Sequence, residues 1–216
     1  MATFTTRRGF TPLLALGIFW TMGALAGAQH QTRTKDELKL MKAPNIEQPF
    51  NLADVDFMQG MIPHHAQAVK MAKWAPMYGQ SKTLKNLCER IVVGQSQEIK
   101  MMRQWLADRG QDVPDADSMR HKMKMGDMVH EMLMPGMMTD EEMAALEKAR
   151  GKEWDRLFLV GMIKHHEGAV KMVEELMNTH GGASGDDMYK FASDVFADQS
   201  TEIEVMKQML AAIKGE

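Results

Sequence analysis

Residues 54–71 read DVDFMQGMIPHHAQAVKM and residues 155–172 read DRLFLVGMIKHHEGAVKM, so eleven of eighteen positions coincide as D-x-x-F-x-x-G-M-I-x-H-H-x-x-A-V-K-M. A shorter match follows each copy: Gln95-Ser96-Gln97-Glu98-Ile99 with Met102, and Gln199-Ser200-Thr201-Glu202-Ile203 with Met206. Self-similarity at this level means one supersecondary unit written twice. Each copy reads as two helices joined by a glycine-containing turn, and the second turn, around Gly181, Gly182 and Gly185, is the longer by three residues.

Helix punctuation sets the boundaries. A first helix is expected over 51–76, with Asn51 or Asp54 near its start and Pro76 near its end, and a second over 81–108, stopping at Gly110. A third is expected over 140–178, with Thr139 and Glu142 spaced as a capping box, and a fourth over 186–213. Pro63 is the irregular residue. Inside a helix it removes a backbone hydrogen bond, which predicts a kink just ahead of the histidines. Aromatic residues make up only 6% of the chain and β-branched runs are few, which disfavours an all-β fold. The expected class is all-α, an antiparallel four-helix bundle built from two duplicated hairpins, residues 45–110 and 139–216.

A helix turns about 100° per residue, so inward stripes can be read off. The first helix presents Asp54, Phe57, Met58, Met61, His65, Ala68 and Ala72, with His64 and Met71 at the edge of the sector. The second presents Leu84, Leu87, Cys88, Ile91, Gln95, Glu98, Met102 and Trp105. The third repeats the first with Met162, His165, His166 and Met172, and the fourth repeats the second with Phe191, Val195, Glu202, Met206 and Met209. A carboxylate on an inward stripe must meet a cation, a histidine or a metal. Two readings stay open. A His–Glu or Lys–Glu pair closes each hairpin, or the His-His helix and the Gln/Glu helix together present metal ligands. Met61 and His65 are one turn apart, as are Met162 and His166, so each pair can reach one ion. Adjacent histidines diverge by about 100° and cannot both address it. One of each pair therefore faces another site, a carboxylate or solvent. Imidazole with thioether suits copper, as Cu(I): sulfur of this kind is too soft for magnesium or calcium, and zinc normally takes nitrogen, oxygen or thiolate.

Between the copies, residues 111–138 hold a large share of the chain's 24 methionines. Met119, His121, Met123, Met125 and His130 are the expected ligands there, with Met128, Met132, Met134, Met137 and Met138 alongside. Methionines two to four residues apart can wrap a Cu(I) ion; the same segment could instead be an apolar strap over the bundle. Pro114, Gly126, Pro135 and Gly136 argue against one long helix and predict a partly ordered connector.

Residues 1–28 read as an export signal. Arg7 and Arg8 supply the positive region, Phe10 to Leu25 is mostly apolar, and Ala26-Gly27-Ala28 offers a cleavage site. Thr6-Arg7-Arg8-Gly9-Phe10 also resembles the twin-arginine consensus. The expected address is the periplasm or another exported location, with no membrane span after cleavage. Cleavage removes two positive charges and no negative one from a net charge of −3, leaving −5, which does not recommend nucleic acid as a partner. Cys88, the one cysteine, has no partner for an internal disulfide and reads as core.

At these residues the chain resembles the family labelled domain of unknown function 305, whose mark is M-I-x-H-H-x-x-A-V/I-x-M followed by a helix with Q-x-x-E-I. Both copies carry it, and Met137-Met138-Thr139-Asp140-Glu141-Glu142-Met143 ahead of the second copy is also typical. The resemblance implies a ferritin-like helical bundle in exported bacterial proteins, some of them associated with copper binding and tolerance. Carried over by position, His64, His65, His165 and His166 with Met61 and Met162 are the implied ligands. The expected function is a copper buffer or chaperone that passes its ion to an efflux system or a cuproprotein, and not primarily an enzyme. A metal-free helical adaptor is the alternative. A ferritin-like di-metal oxidase is a weaker one, because no glutamate has a histidine three residues later.

Overall fold

The computed structural model describes residues 47–125 and 128–214. The expected signal at 1–28 lies outside the described residues. The elements are α1 (Leu52–Ala72), α2 (Ala75–Tyr78), α3 (Lys82–Asp108), β1 (His121–Met125), β2 (Met128–Met132), α4 (Asp140–Lys148), α5 (Gly151–Asn178) and α6 (Asp186–Lys214). The protein is mostly helical, with one small antiparallel ribbon in the connector. No described helix is long and apolar enough to cross a membrane.

Local chemistry explains the starts. The Asn51 side chain accepts from the Ala53 and Asp54 amides while Asp54 accepts from the Asn51 amide, a reciprocal cap on α1. Thr139 and Glu142 form the expected capping box on α4. Two expected helices are broken. The first, 51–76, ends at Ala72, and Pro76 falls in the opening turn of α2, where its missing N–H costs nothing. The third, 140–178, is split because Ala149 and Arg150 are extended and Gly151 has φ +59°, a left-handed conformation suited to glycine. The break lets the Arg150 guanidinium lie 3.7 Å over the Tyr78 ring and brings Gly151 into a bridge with Gly79. Pro63 sits within an α1 that runs unbroken to Ala72.

α3 packs on α1, α6 packs on α5, and α1 packs on α5. The apolar side chains form two cores rather than one. The first joins Phe57, Met58, Met61 and Ile62 of α1 to Met102 and Trp105 of α3, Met172 and Val173 of α5, and Phe191 and Val195 of α6. The second joins Ala68 and Met71 of α1 to Leu84, Cys88 and Ile91 of α3, Trp154, Phe158 and Met162 of α5, and Met206 of α6. Each core takes opposite halves of the corresponding helices from the two copies. Cys88 is buried in the second, as its stripe predicts.

The repeat's leading aspartates cross between hairpins. Asp54, at the start of α1, accepts from the Ala183 amide in the turn between α5 and α6, at 2.7 Å. Asp155, in α5, accepts from the Gln80 and Ser81 amides ahead of α3, at 3.0 and 2.8 Å. Each copy thus fastens the other's turn. Replacing Asp155 with alanine leaves two amide donors without their acceptor, and is expected to cost about 1–3 kcal/mol of stability. Urea unfolding checks this; a midpoint equal to wild type would remove the clamp from the account.

Candidate metal centre

Between the two apolar cores lies a band of polar side chains. His64, His65, His165 and His166 are each 0% exposed, Gln95 and Gln199 are buried one turn before Glu98 and Glu202 on α3 and α6, and the two glutamates are partly exposed. The neighbours in each pair diverge as helix geometry requires. His65 Nε2 lies 2.7 Å from Glu98 Oε2, and His166 Nε2 lies 2.8 Å from Glu202 Oε2. His64 and His165 face each other instead, with ring centroids 3.8 Å apart.

Proton placement follows from the acceptors. A carbonyl oxygen and a carboxylate only accept, so His64 Nε2 donates to the Pro135 carbonyl at 3.0 Å, and the other two donate Nε2–H to glutamate. In a neutral ring that leaves Nδ1 as a lone pair. The Nδ1 atoms of His64, His65 and His166 are all buried without a partner, as are both ring nitrogens of His165 and both amide atoms of Gln95 and Gln199. One ring nitrogen held by an acceptor and the other left free is how metal-binding histidines are usually oriented.

Thioethers flank the band on both sides. Met61, Met102 and Met172 belong to one core, and their repeat counterparts Met162, Met206 and Met71 belong to the other. Among the described residues, no three side chains drawn from His, Cys, Asp and Glu are grouped so as to hold a metal ion by themselves. The donors this centre can add are sulfur. At the rim, burial first and then the Glu98 and Glu202 charges push the Asp198 carboxyl up, so the outer end of the band is acidic.

One face of the band is covered by residues 134–138. Met134 and Met138 seat over Gly60 and Gly161, where an added Cβ would come within 2.7 Å of Met134 Cε and 2.6 Å of Met138 Sδ. The Gln67 amide donates to the Met138 carbonyl at 2.9 Å, and its oxygen accepts from the Met138 amide at 2.7 Å. At the equivalent position of the second copy stands Gly168, where any Cβ would overlap the Pro135 carbonyl; Gly136, at φ +77°, packs against the same helix. Sequence reasoning missed Gln67, Gly168 and the Pro135 carbonyl. The paired Gly60 and Gly161 were visible as identities in the repeat, but nothing in the repeat said what they accommodate.

The connector's other expected ligands lie apart from this arrangement. Met119 packs, partly buried, on the first core, and His121 is 6% exposed with its ring donating to the Gln59 carbonyl. That carbonyl is the one Pro63, four residues on, leaves without a helical donor. His130 is exposed in β2, opposite Met123 in the ribbon register, and Met125 stands opposite Met128.

Burial, followed by the His65 charge, lowers the His64 pKa from 6.5 to about 3, and burial with the neighbouring histidines holds His165 well below its ordinary value. The unfolded chain therefore takes up protons at pH values where folded His64 and His165 refuse them. Stability of the metal-free protein is expected to fall as pH drops below about 6.5, by up to about 1.4 kcal/mol per pH unit for each such histidine. Urea midpoints at about pH 7 and about pH 5 should converge when His64 and His165 are both leucine. An undiminished acid sensitivity in that double variant would assign the effect to other groups.

Comparison with known proteins adds a separate line. The family model described as "Domain of unknown function (DUF305)" matches residues 54–210. A DUF305 protein of Streptomyces coelicolor, inferred to be secreted, superposes with a TM-score of 0.63 at 28% identity, covering 75% of this chain and 94% of that one. CopM in its Cu(I)-bound form superposes with a TM-score of 0.55 at 30% identity, covering 74% of this chain and 96% of that one. CopM has also been solved in Cu(II)-bound, Ag-bound and apo forms. An uncharacterized protein of Acanthamoeba polyphaga mimivirus is 36% identical over 56 residues, 26% of this chain, and the match spans 37% of the viral protein's length.

Proposed function

The chain belongs to the DUF305 family, and from that premise we propose that it is an exported copper-binding protein, a buffer or chaperone that holds Cu(I) between imidazoles and thioethers. The observation that carries the reading is the set of buried Nδ1 lone pairs on His64, His65 and His166, each on a ring whose Nε2–H is already engaged. Desolvated lone pairs without a donor are costly in the apo protein, and a soft cation is what they and the flanking sulfurs both accept. Met61, Met102 and Met172 would serve one side of the band, and Met71, Met162 and Met206 the other. Glu98 and Glu202 orient His65 and His166 and balance the charge of the ion.

The resemblance to CopM, whose solved forms carry copper and silver, supports copper as the cargo. The export-signal pattern of residues 1–28 and the relative inferred to be secreted support export, to the periplasm in a two-membrane cell. The two hairpins, packed through α1 and α5, are read as a ferritin-like four-helix bundle. Release proceeds by ligand exchange to an efflux system or a cuproprotein, since thioether–Cu(I) contacts can be replaced one at a time. One observation favours a metal-free adaptor instead: short His65–Glu98 and His166–Glu202 hydrogen bonds already close each hairpin.

Anaerobic Cu(I) titration of the mature chain decides between them. Replacing His64, His65, His165 and His166 by leucine should abolish the tight binding class while the circular dichroism stays helical. The milder change of Glu98 and Glu202 to glutamine should weaken binding by about 10–100-fold, as loss of an outer-shell partner does. Cu(I) should also raise the melting temperature of wild type, because a ligand specific to the folded state stabilises it. Unchanged titration in the four-histidine variant, with no thermal shift in wild type, would defeat the copper reading and leave the adaptor.

A further inference from the structure

The connector ribbon has a chemistry of its own. Its register pairs His121 with Met132, Met123 with His130 and Met125 with Met128, while Lys122 pairs with Glu131 and Lys124 with Val129. Successive residues of a strand alternate between faces, and residues directly opposite each other share one. One face of the ribbon therefore holds four methionine and two histidine positions, and the other holds two lysines, a glutamate and a valine. The Lys122 Nζ to Glu131 Oε1 distance of 3.7 Å fits that division.

The soft face does not build the core. Every residue of β2 is exposed, Met128 to 63% and Met132 to 36%, so these thioethers contribute little burial. His121 is the exception. Its ring is buried on α1 and spent on the Gln59 carbonyl, which makes it the anchor of the ribbon rather than a free donor. The remaining soft positions are Met123, Met125, Met128, His130 and Met132. Directly opposed residues have Cβ atoms about 4.5–5.5 Å apart, which is within reach of one ion for side chains as long as methionine and histidine. Hard cations have nothing to bind on a face without oxygen donors.

The geometry points to a second, solvent-accessible site for soft monovalent cations, Cu(I) or Ag(I), on the Met/His face of the β1–β2 ribbon, distinct from the buried imidazole band. It rests on the proposed function only for the identity of the cargo. The β2 half of the ribbon site is exposed and rich in sulfur. The band is enclosed and rich in nitrogen. The ribbon is thus the site a cation meets from solution, and it is tethered through His121 to the helix that carries His64 and His65.

The test uses the mature chain and Ag(I), a redox-inert probe, followed by Cu(I) under anaerobic conditions. The triple variant Met128→Leu, His130→Gln, Met132→Leu keeps side-chain bulk at exposed positions and should remain folded. It should bind at least one fewer Ag(I) per chain than wild type, while the four-histidine variant keeps that same equivalent. In wild type and in the four-histidine variant alike, the 13C-methyl resonances of Met128 and Met132 should shift with the ribbon equivalent. Wild-type stoichiometry and affinity in the triple variant overturn the proposal, as does loss of all Ag(I) binding in the four-histidine variant. If the four-histidine variant binds like wild type while the triple variant loses its equivalent, the ribbon site stands and the buried-band reading falls.

Discussion

Four imidazoles and two amides buried across the middle of the protein are the constraint around which the rest is arranged. They cannot be dissolved into apolar packing, because each unpaired nitrogen or oxygen forfeits its bonds to water. The apolar side chains therefore segregate to either side, as two cores. Everything adjacent serves to limit the penalty: Glu98 and Glu202 reach in from α3 and α6, and Pro135 lends a carbonyl from the strap. Several lone pairs are still left over. An apolar layer of the same volume would make a more stable bundle, so the band is retained at the expense of stability, which is the pattern expected of a binding site.

The two copies are equivalent in sequence but not in surroundings. The segment 134–138 crosses only one face, and equivalent positions answer it differently: Gln67 clasps its backbone, whereas Gly168 makes room for it. His64 gains a hydrogen bond from this arrangement and His165 does not. Pro63 adds to the asymmetry. Lys164 stands in its place in the second copy and pairs with Glu142, while Pro63 frees a carbonyl that recruits His121. A duplicated scaffold has thus acquired two inequivalent halves.

Much of this was legible in the sequence because helix periodicity and the repeat reinforce each other. The inward stripes, the capping box at Thr139 and the divergence of neighbouring histidines follow from about 100° per residue and nothing else. The helix break at Arg150 was not legible, since it depends on a contact from elsewhere: Arg150 turns away to stack on Tyr78. The sequence predicts a partly ordered connector from its Gly and Pro content, whereas the alternation of lysine and methionine in HKMKM is a strand signal. Gln67 could not have been found, because a polar residue gripping a distant backbone leaves no periodic trace.

The crossed aspartates make the two hairpins interdependent. One hairpin alone lacks the acceptor for its own turn amides, because Asp54 and Asp155 each point into the opposite copy. Two identical hairpins related by a two-fold axis would supply that acceptor to each other, as isologous partners do. The arrangement is that of an isologous pair contained within one chain. The opposite copy's carboxylate is therefore always at hand, whereas between two separate hairpins the same clamp would depend on concentration.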